Sequence, residues 1–150
     1  MRSSPQRLLF AALSLAAAVG ACSSSISDFV GTPAHEVFVT PGSPQHGTSG
    51  DTVYYSISNS GASTAYLAPC GDVPAVTYQV FQNGAWVTTG PVTTCPVQTV
   101  PGPIELVPGT PIVVSNVFTT AGRYRAGVSV ATKVDLSDAA PAWSVGVDIP

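Results

Sequence analysis

Between Thr77 and Thr89 the chain reads TYQVFQ-NG-AWVTT. Two alternating runs are separated by Asn83 and Gly84 alone. Asn-Gly tolerates positive φ at both central positions, which a type I′ turn requires, so the segment predicts a tight β-hairpin. A two-residue loop leaves one register. It sets Phe81 opposite Trp86 and Val80 opposite Val87. An aromatic pair so placed contributes about 0.5–1 kcal/mol beyond its burial. A chain committed to this hairpin must supply further strands to cover it.

The rest of the sequence supplies them. Glu36 to Thr40 predicts a first short strand, and Pro41 to Asp51 a loop. Thr52 to Asn59 alternates, with Val53, Tyr55 and Ile57 on one face and Thr52, Tyr54, Ser56 and Ser58 on the other; Asn59-Ser60-Gly61 ends it. Thr64 to Ala68 is a short strand running into Pro69-Cys70-Gly71. Thr93 to Gly109 holds prolines at 96, 101, 103 and 108, too many lost donors for a central strand, so it reads as loop and edge with Glu105 to Val107 briefly extended. Ile112 to Phe118 is apolar enough for a buried strand. In Arg123 to Ala131, Tyr124, Ala126, Val128 and Val130 face in, while Arg123, Arg125, Gly127 and Ser129 face out. Lys133 to Pro141 reads as a polar loop. Ala142 to Ile149 closes the domain, with Trp143, Val145, Val147 and Ile149 inward. Nothing after residue 21 keeps a helical period. Seven or eight short strands between turn signals predict an antiparallel β-sandwich.

The first residues have a different character. Arg2 and Arg7 precede an apolar run, Leu8 to Val19, too short to cross a bilayer as a helix and flanked as a secretory signal is. The run ends in Val19-Gly20-Ala21-Cys22, which resembles the lipobox of bacterial lipoproteins. The resemblance implies cleavage before Cys22 and acylation of that cysteine, with residues 1–21 as signal peptide. Ser23 in the next position resembles the signals that permit outer-membrane sorting in diderm bacteria. Residues 22–34, small and polar at first, read as a tether to a domain spanning 35–150. Of the three cysteines, a lipidated Cys22 leaves Cys70 and Cys95 as one pair, which an oxidising compartment would keep bonded.

From Cys22 onward Arg123, Arg125 and Lys133 are the basic side chains, against eight acidic ones. That balance carries no electrostatic footprint for nucleic acid. His46, Ser49 and Asp51 share one loop, but a catalytic triad needs groups converging from a rigid scaffold. A blue-copper site needs two histidines, a cysteine and usually a methionine. His35 and His46 lie far in sequence from Cys95, and Met1 belongs to the leader. Asp135 and Asp138 fall short of a calcium loop. The expectation is therefore a non-enzyme without cofactor or metal.

Four motifs together resemble the immunoglobulin-like domains of bacterial envelope proteins: the strand ending Asn59-Ser60-Gly61, the Asn83-Gly84-x-Trp86 hairpin, the Pro108-Gly109 turn, and Ala121-Gly122-Arg123-Tyr124-Arg125. The resemblance spans roughly Val37 to Ile149. It implies an immunoglobulin-like sandwich with Tyr124 in a tyrosine-corner role. Such a module, held at a membrane by its N-terminal lipid, would have a binding or structural role in the cell envelope, its partner in the binding case being an envelope protein or carbohydrate. Outward aromatics and cations are the candidate surface: Tyr54, Tyr66, Phe81, Trp86, Arg123 and Arg125. The alternative is a protease-inhibitor-like module presenting the proline-rich loop Thr93 to Pro103.

Overall fold

The computed structural model describes residues 31–89, 95–97, 99 and 102–150. Within them the chain is all-β, and two antiparallel sheets stack face to face as a sandwich. Asn83 and Gly84 take φ of 51° and 80°, both positive as the expected turn demands. They join β7 (Val76–Gln82) to β8 (Ala85–Thr88), with Phe81 opposite Trp86 and Val80 opposite Val87.

Sheet A is built around β11 (Gly122–Ala131), a strand with partners along both edges. On one edge it pairs with β7 through Tyr124–Val128 and then with β4 (Ala65–Leu67) through Val130 and Ala131. On the other it pairs with β13 (Val147–Ile149) and β12 (Ala140–Trp143). β8 extends the sheet beyond β7, and β9 (Ile104–Leu106) extends it beyond β4. Sheet B is narrower. β3 (Gly50–Asn59) lies between β1 (Val37–Pro41) and β10 (Ile112–Phe118), and β2 (Gln45–Gly47) pairs with the start of β3. β5 (Pro69–Cys70) and β6 (Val73–Pro74) form a small separate ladder. The described residues hold thirteen strands, seven of four residues or more and six of two or three, where the turn spacing predicts seven or eight in all.

Alternation along the strands decides what lies between the sheets. Val37, Val39, Val53, Tyr55 and Ile57 from sheet B meet Leu67, Val80, Leu106, Ala126, Val128, Val130, Ala142 and Ile149 from sheet A. Tyr55, Tyr78, Phe118 and Tyr124 form a chain of rings through this layer, with centroids 5.9, 5.9 and 4.3 Å apart. The Tyr124 hydroxyl donates back to the Thr120 carbonyl at 3.0 Å, which is tyrosine-corner geometry. Buried Asn59 ties the sheets together: its amide donates to Ser63 O and to Leu106 O, and its Oδ1 accepts from Gly61 N–H. Cys70 and Cys95 are bonded to each other.

Burial pushes the Tyr78 phenol up to about 12, and burial, then the neighbouring Tyr78 charge, raises Tyr55 as well. A phenol whose folded pKa lies above its unfolded value stabilises the fold below pH 10 and loses that contribution as pH rises from 10 through the folded value. Melting temperature should therefore hold up to about pH 10 and fall steeply by pH 12, with two tyrosines ionising late in an ultraviolet titration. Ionisation of every tyrosine near pH 10 in the folded protein would contradict this.

Four sequence expectations are corrected. The loop Pro41–Asp51 contains β2, because His46 finds a strand partner in Asp51. The tether 22–34 is too long by at least three residues: Trp143 N–H donates to Thr32 O at 2.8 Å, and Ala34 and Val37 form a bridge. β10 is not buried throughout; it is an edge strand with one face in solvent, and Val113 and Val117 are 61% and 49% exposed. Ala142 to Ile149 is not one strand. Ala142 and Ile149 both face the core, and an odd separation of seven residues cannot do so without a break in alternation. The break falls at 144–146. It buries Ser144, whose Oγ accepts from Ala126 N–H, and turns Trp143 to the outer face.

Candidate partner face on the outer side of sheet A

The residues of sheet A that point away from the core form the most distinctive surface of the molecule. β7 contributes Thr77, Gln79 and Phe81; β8 contributes Trp86 and Thr88. β11 contributes Arg123, Arg125 and Gly127; β12 contributes Trp143. Register brings them into rows, with Phe81 beside Trp86, Gln79 beside Arg125, and Gly127 beside Trp143.

Arg125 is the centre. Its guanidinium carbon lies 4.3 Å from the centroid of the Trp86 ring and 4.5 Å from that of Trp143. Both are cation–π distances, each contributing about 0.5–2 kcal/mol depending on solvent exposure. Its Nε donates to Gln79 Oε1 at 2.9 Å. Phe81 continues the row, its ring 5.2 Å from Trp86 and close to edge-on. The result is a strip of three rings with one cation set among them: Phe81, Trp86, Arg125, Trp143.

Two glycines make room for it. A Cβ on Gly127 would fall 2.3 Å from Cε3 of Trp143, so the indole lies on the bare backbone of β11. A Cβ on Gly146 would fall 2.5 Å from Nε of Arg123 and 3.1 Å from Cη2 of Trp86. Arg123 crosses there and approaches Asp148 at 4.0 Å, a long contact with an exposed carboxylate that contributes little. Gln79, Gly127 and Trp143 are absent from the sequence-derived surface. The signal for them was a glycine in mid-strand, which marks close approach by another group.

Four of the six expected surface residues, Phe81, Trp86, Arg123 and Arg125, thus share one face. Tyr66 lies on the same side of sheet A but pairs with Ala131, six residues along β11 from Arg125, or about 20 Å at strand rise. Tyr54 is on the outer face of sheet B, the opposite side of the sandwich, among Ser56, Ser58, Thr52 and Val113.

No family model, curated protein or solved structure matches the chain.

The other chemical candidates are placed as follows. His46 and Asp51 do meet: Nδ1 of the imidazole lies 2.8 Å from Oδ1 across the β2–β3 pairing, with His46 largely in solvent. No described contact joins Ser49 to them. Asp138 spends its carboxylate on its own loop, accepting from the Thr132 hydroxyl and from the N–H groups of Thr132 and Lys133; the hydroxyl bond leads in holding its pKa low. Asp135 accepts from Ser137 N–H, which holds its pKa low in the same way. Among the described residues no three His, Cys, Asp or Glu side chains gather as a metal site would require. Cys22 lies outside the described residues, as do Thr93, Thr94, Gln98, Val100 and Pro101 of the loop assigned to an inhibitor.

Proposed function

We propose that the protein is an exported, lipid-anchored binding module of the cell envelope, non-enzymatic, with an immunoglobulin-like sandwich as its working part. Its address rests on Arg2, Arg7, the apolar run and Val19-Gly20-Ala21-Cys22. The observation that carries the binding role is the Trp86–Arg125–Trp143 stack. A sheet that needed only a soluble outer face would be served by scattered polar residues. This one holds an arginine between two indoles above a glycine floor, and so presents a rigid strip of ring edges and positive charge. Rigid aromatic and arginine groups are the ones that carry binding energy in interfaces, because little side-chain entropy is lost on contact. The ligand class that suits the strip is an envelope protein or carbohydrate offering apolar ring faces beside an anionic or hydroxyl group.

Phe81 is the place to test it, since it caps the strip without supporting the stack from beneath. Phe81→Ser should melt close to the wild type yet lose at least tenfold in retention on purified envelope fractions, about 1.4 kcal/mol. Equal retention by the variant would remove the strip from consideration.

The anchor is tested separately. Cys22→Ala should abolish incorporation of labelled fatty acid and leave the protein unprocessed or soluble. Continued labelling and membrane fractionation of Cys22→Ala would refute the lipid anchor.

A further inference from the structure

The carboxamide carbon of an asparagine is open to attack by the backbone nitrogen of the next residue. Three things decide whether the attack succeeds: what shields that nitrogen, what holds the carboxamide, and whether the backbone can bring the two together. The chain has three asparagines, at 59, 83 and 116. The fold treats them differently.

Asn59 is 5% exposed, and its carboxamide is fully engaged: Nδ2 donates to Ser63 O and Leu106 O, and Oδ1 accepts from Gly61 N–H. The nitrogen that would attack it is held as well, since Ser60 N–H donates to Glu36 O at 3.0 Å. Asn116 lies inside β10, paired with Val53, and is followed by Val117, whose branched Cβ stiffens the backbone and crowds its own nitrogen. Either residue reacts only if a ladder of the sandwich opens first.

Asn83 has none of this protection. Both it and Gly84 are exposed, and a Cβ placed on Gly84 would meet nothing within 4 Å. Gln82 and Ala85 are the closing pair of the hairpin. A tight turn spends the N–H of its fourth residue, here Ala85, so that of Gly84 has no part in the ladder. Among the described residues no hydrogen bond engages Gly84 N–H or the Asn83 carboxamide. Gln82 and Ala85 are themselves exposed, so parting them to let the Gly84 peptide swing uncovers none of the core.

We propose that Asn83-Gly84 is a self-modifying site, at which the folded protein loses the Asn83 carboxamide through a succinimide. The backbone nitrogen of Gly84, giving up its proton to base, bonds to Cγ of Asn83. The Cγ–Nδ2 bond breaks, and ammonia leaves with a proton from solvent. Water then opens the five-membered ring. Cleavage at Cγ gives an aspartyl residue; cleavage at the main-chain carbonyl carbon gives an isoaspartyl one. The two products differ in what they do to the hairpin. Asp-Gly suits a type I′ turn, so the aspartyl form keeps the register. The isoaspartyl form routes the backbone through Cβ, adding an atom to a loop of two residues. Phe81 and Trp86, now 5.2 Å apart, then lose their alignment. The chemistry needs nothing from the proposed binding role, although its isoaspartyl product alters the same strip.

The full chain is aged folded in warm, mildly alkaline buffer, and peptides covering each asparagine are weighed. The Asn83 peptide should gain about 1 Da, the difference between an amide and an acid. It should do so about tenfold or more faster than the peptides of Asn59 and Asn116, a gap equal to about 1.4 kcal/mol of local opening. The rate at Asn83 should rise with pH. An endoprotease specific for aspartyl bonds should cut only part of the gained mass, the remainder being isoaspartyl. Asn83→Gly keeps a turn-competent pair and removes the carboxamide, so its hairpin peptide should not change mass. The isoaspartyl fraction, once separated, should show shifted tryptophan emission, and the aspartyl fraction should not. Equal ageing at all three asparagines overturns the proposal, and so does conversion of Asn83 only in chain unfolded with urea, which would show that the closed turn protects it.

Discussion

Gly127→Val should lower the melting temperature by on the order of 10 °C and shift tryptophan emission to the red. The added side chain starts 2.3 Å from the Trp143 ring, inside any permissible contact. The ring must move, and its backbone cannot follow. Trp143 N–H is bonded to Thr32 O, Ser144 N–H to Ala126 O, and Ala126 N–H to Ser144 Oγ, so β12 is fixed on both sides of the tryptophan. The indole can only rotate into solvent. It then uncovers β11 and strips Arg125 of one of its two rings. Overpacking of this kind costs about 1–3 kcal/mol, and the lost stacking adds about 0.5–1. Trp143→Ala in the same chain should recover part of the loss, because the clash and the ring are the same interaction. If Gly127→Val and the wild type melt together, the ring does not lie on that glycine.

Cys70→Ser/Cys95→Ser should be the costliest change that still leaves the domain folded. The bond closes a separation of 25 residues that contains the whole β7–β8 hairpin. On the chain-entropy account, opening such a loop releases about 3.5 kcal/mol of unfolded-state freedom. The remaining sheets should keep the fold, since the core from Val37 to Ile149 involves neither sulfur. Thermal melts in the presence and absence of reductant measure it, and the wild type should show no reactive thiol at 70 or 95 before reduction. Free thiols there, or an unchanged melt in the double variant, would contradict the role assigned to the bond.

What was legible in the sequence was local. Asn83-Gly84 specified the turn and, through it, which residues face each other across β7 and β8. Period two in Thr52–Asn59 and in Arg123–Ala131 specified which side chains meet the core, because neither stretch contains an interruption. The same rule misplaced Trp143. Alternation counted back from Ile149 runs through Gly146, where the backbone slips by one, and every residue before the slip changes sides. β10 misled for another reason: its composition suits a buried strand, but burial depends on how many strands sheet B has beyond it. The arginine strip needed long-range register. Trp86, Arg125 and Trp143 come from three strands, and only the pairing of β7 with β11 and of β11 with β12 sets them in line. Their faces were readable one strand at a time, but their adjacency was not.

The Thr32–Trp143 bridge has a mechanical consequence. Gly31 is the first described residue, and the chain ahead of it is the end proposed to carry the anchor. Among the described residues, the first hydrogen bond such a pull would meet is at Thr32, whose carbonyl holds the backbone of Trp143. The load therefore enters at the strand that carries the outermost ring of the strip, before it reaches β1 and its ladder with β3. Tension on the tether and a ligand on the strip would act on the same few atoms, so a force that frees Thr32 also loosens the ring over Arg125.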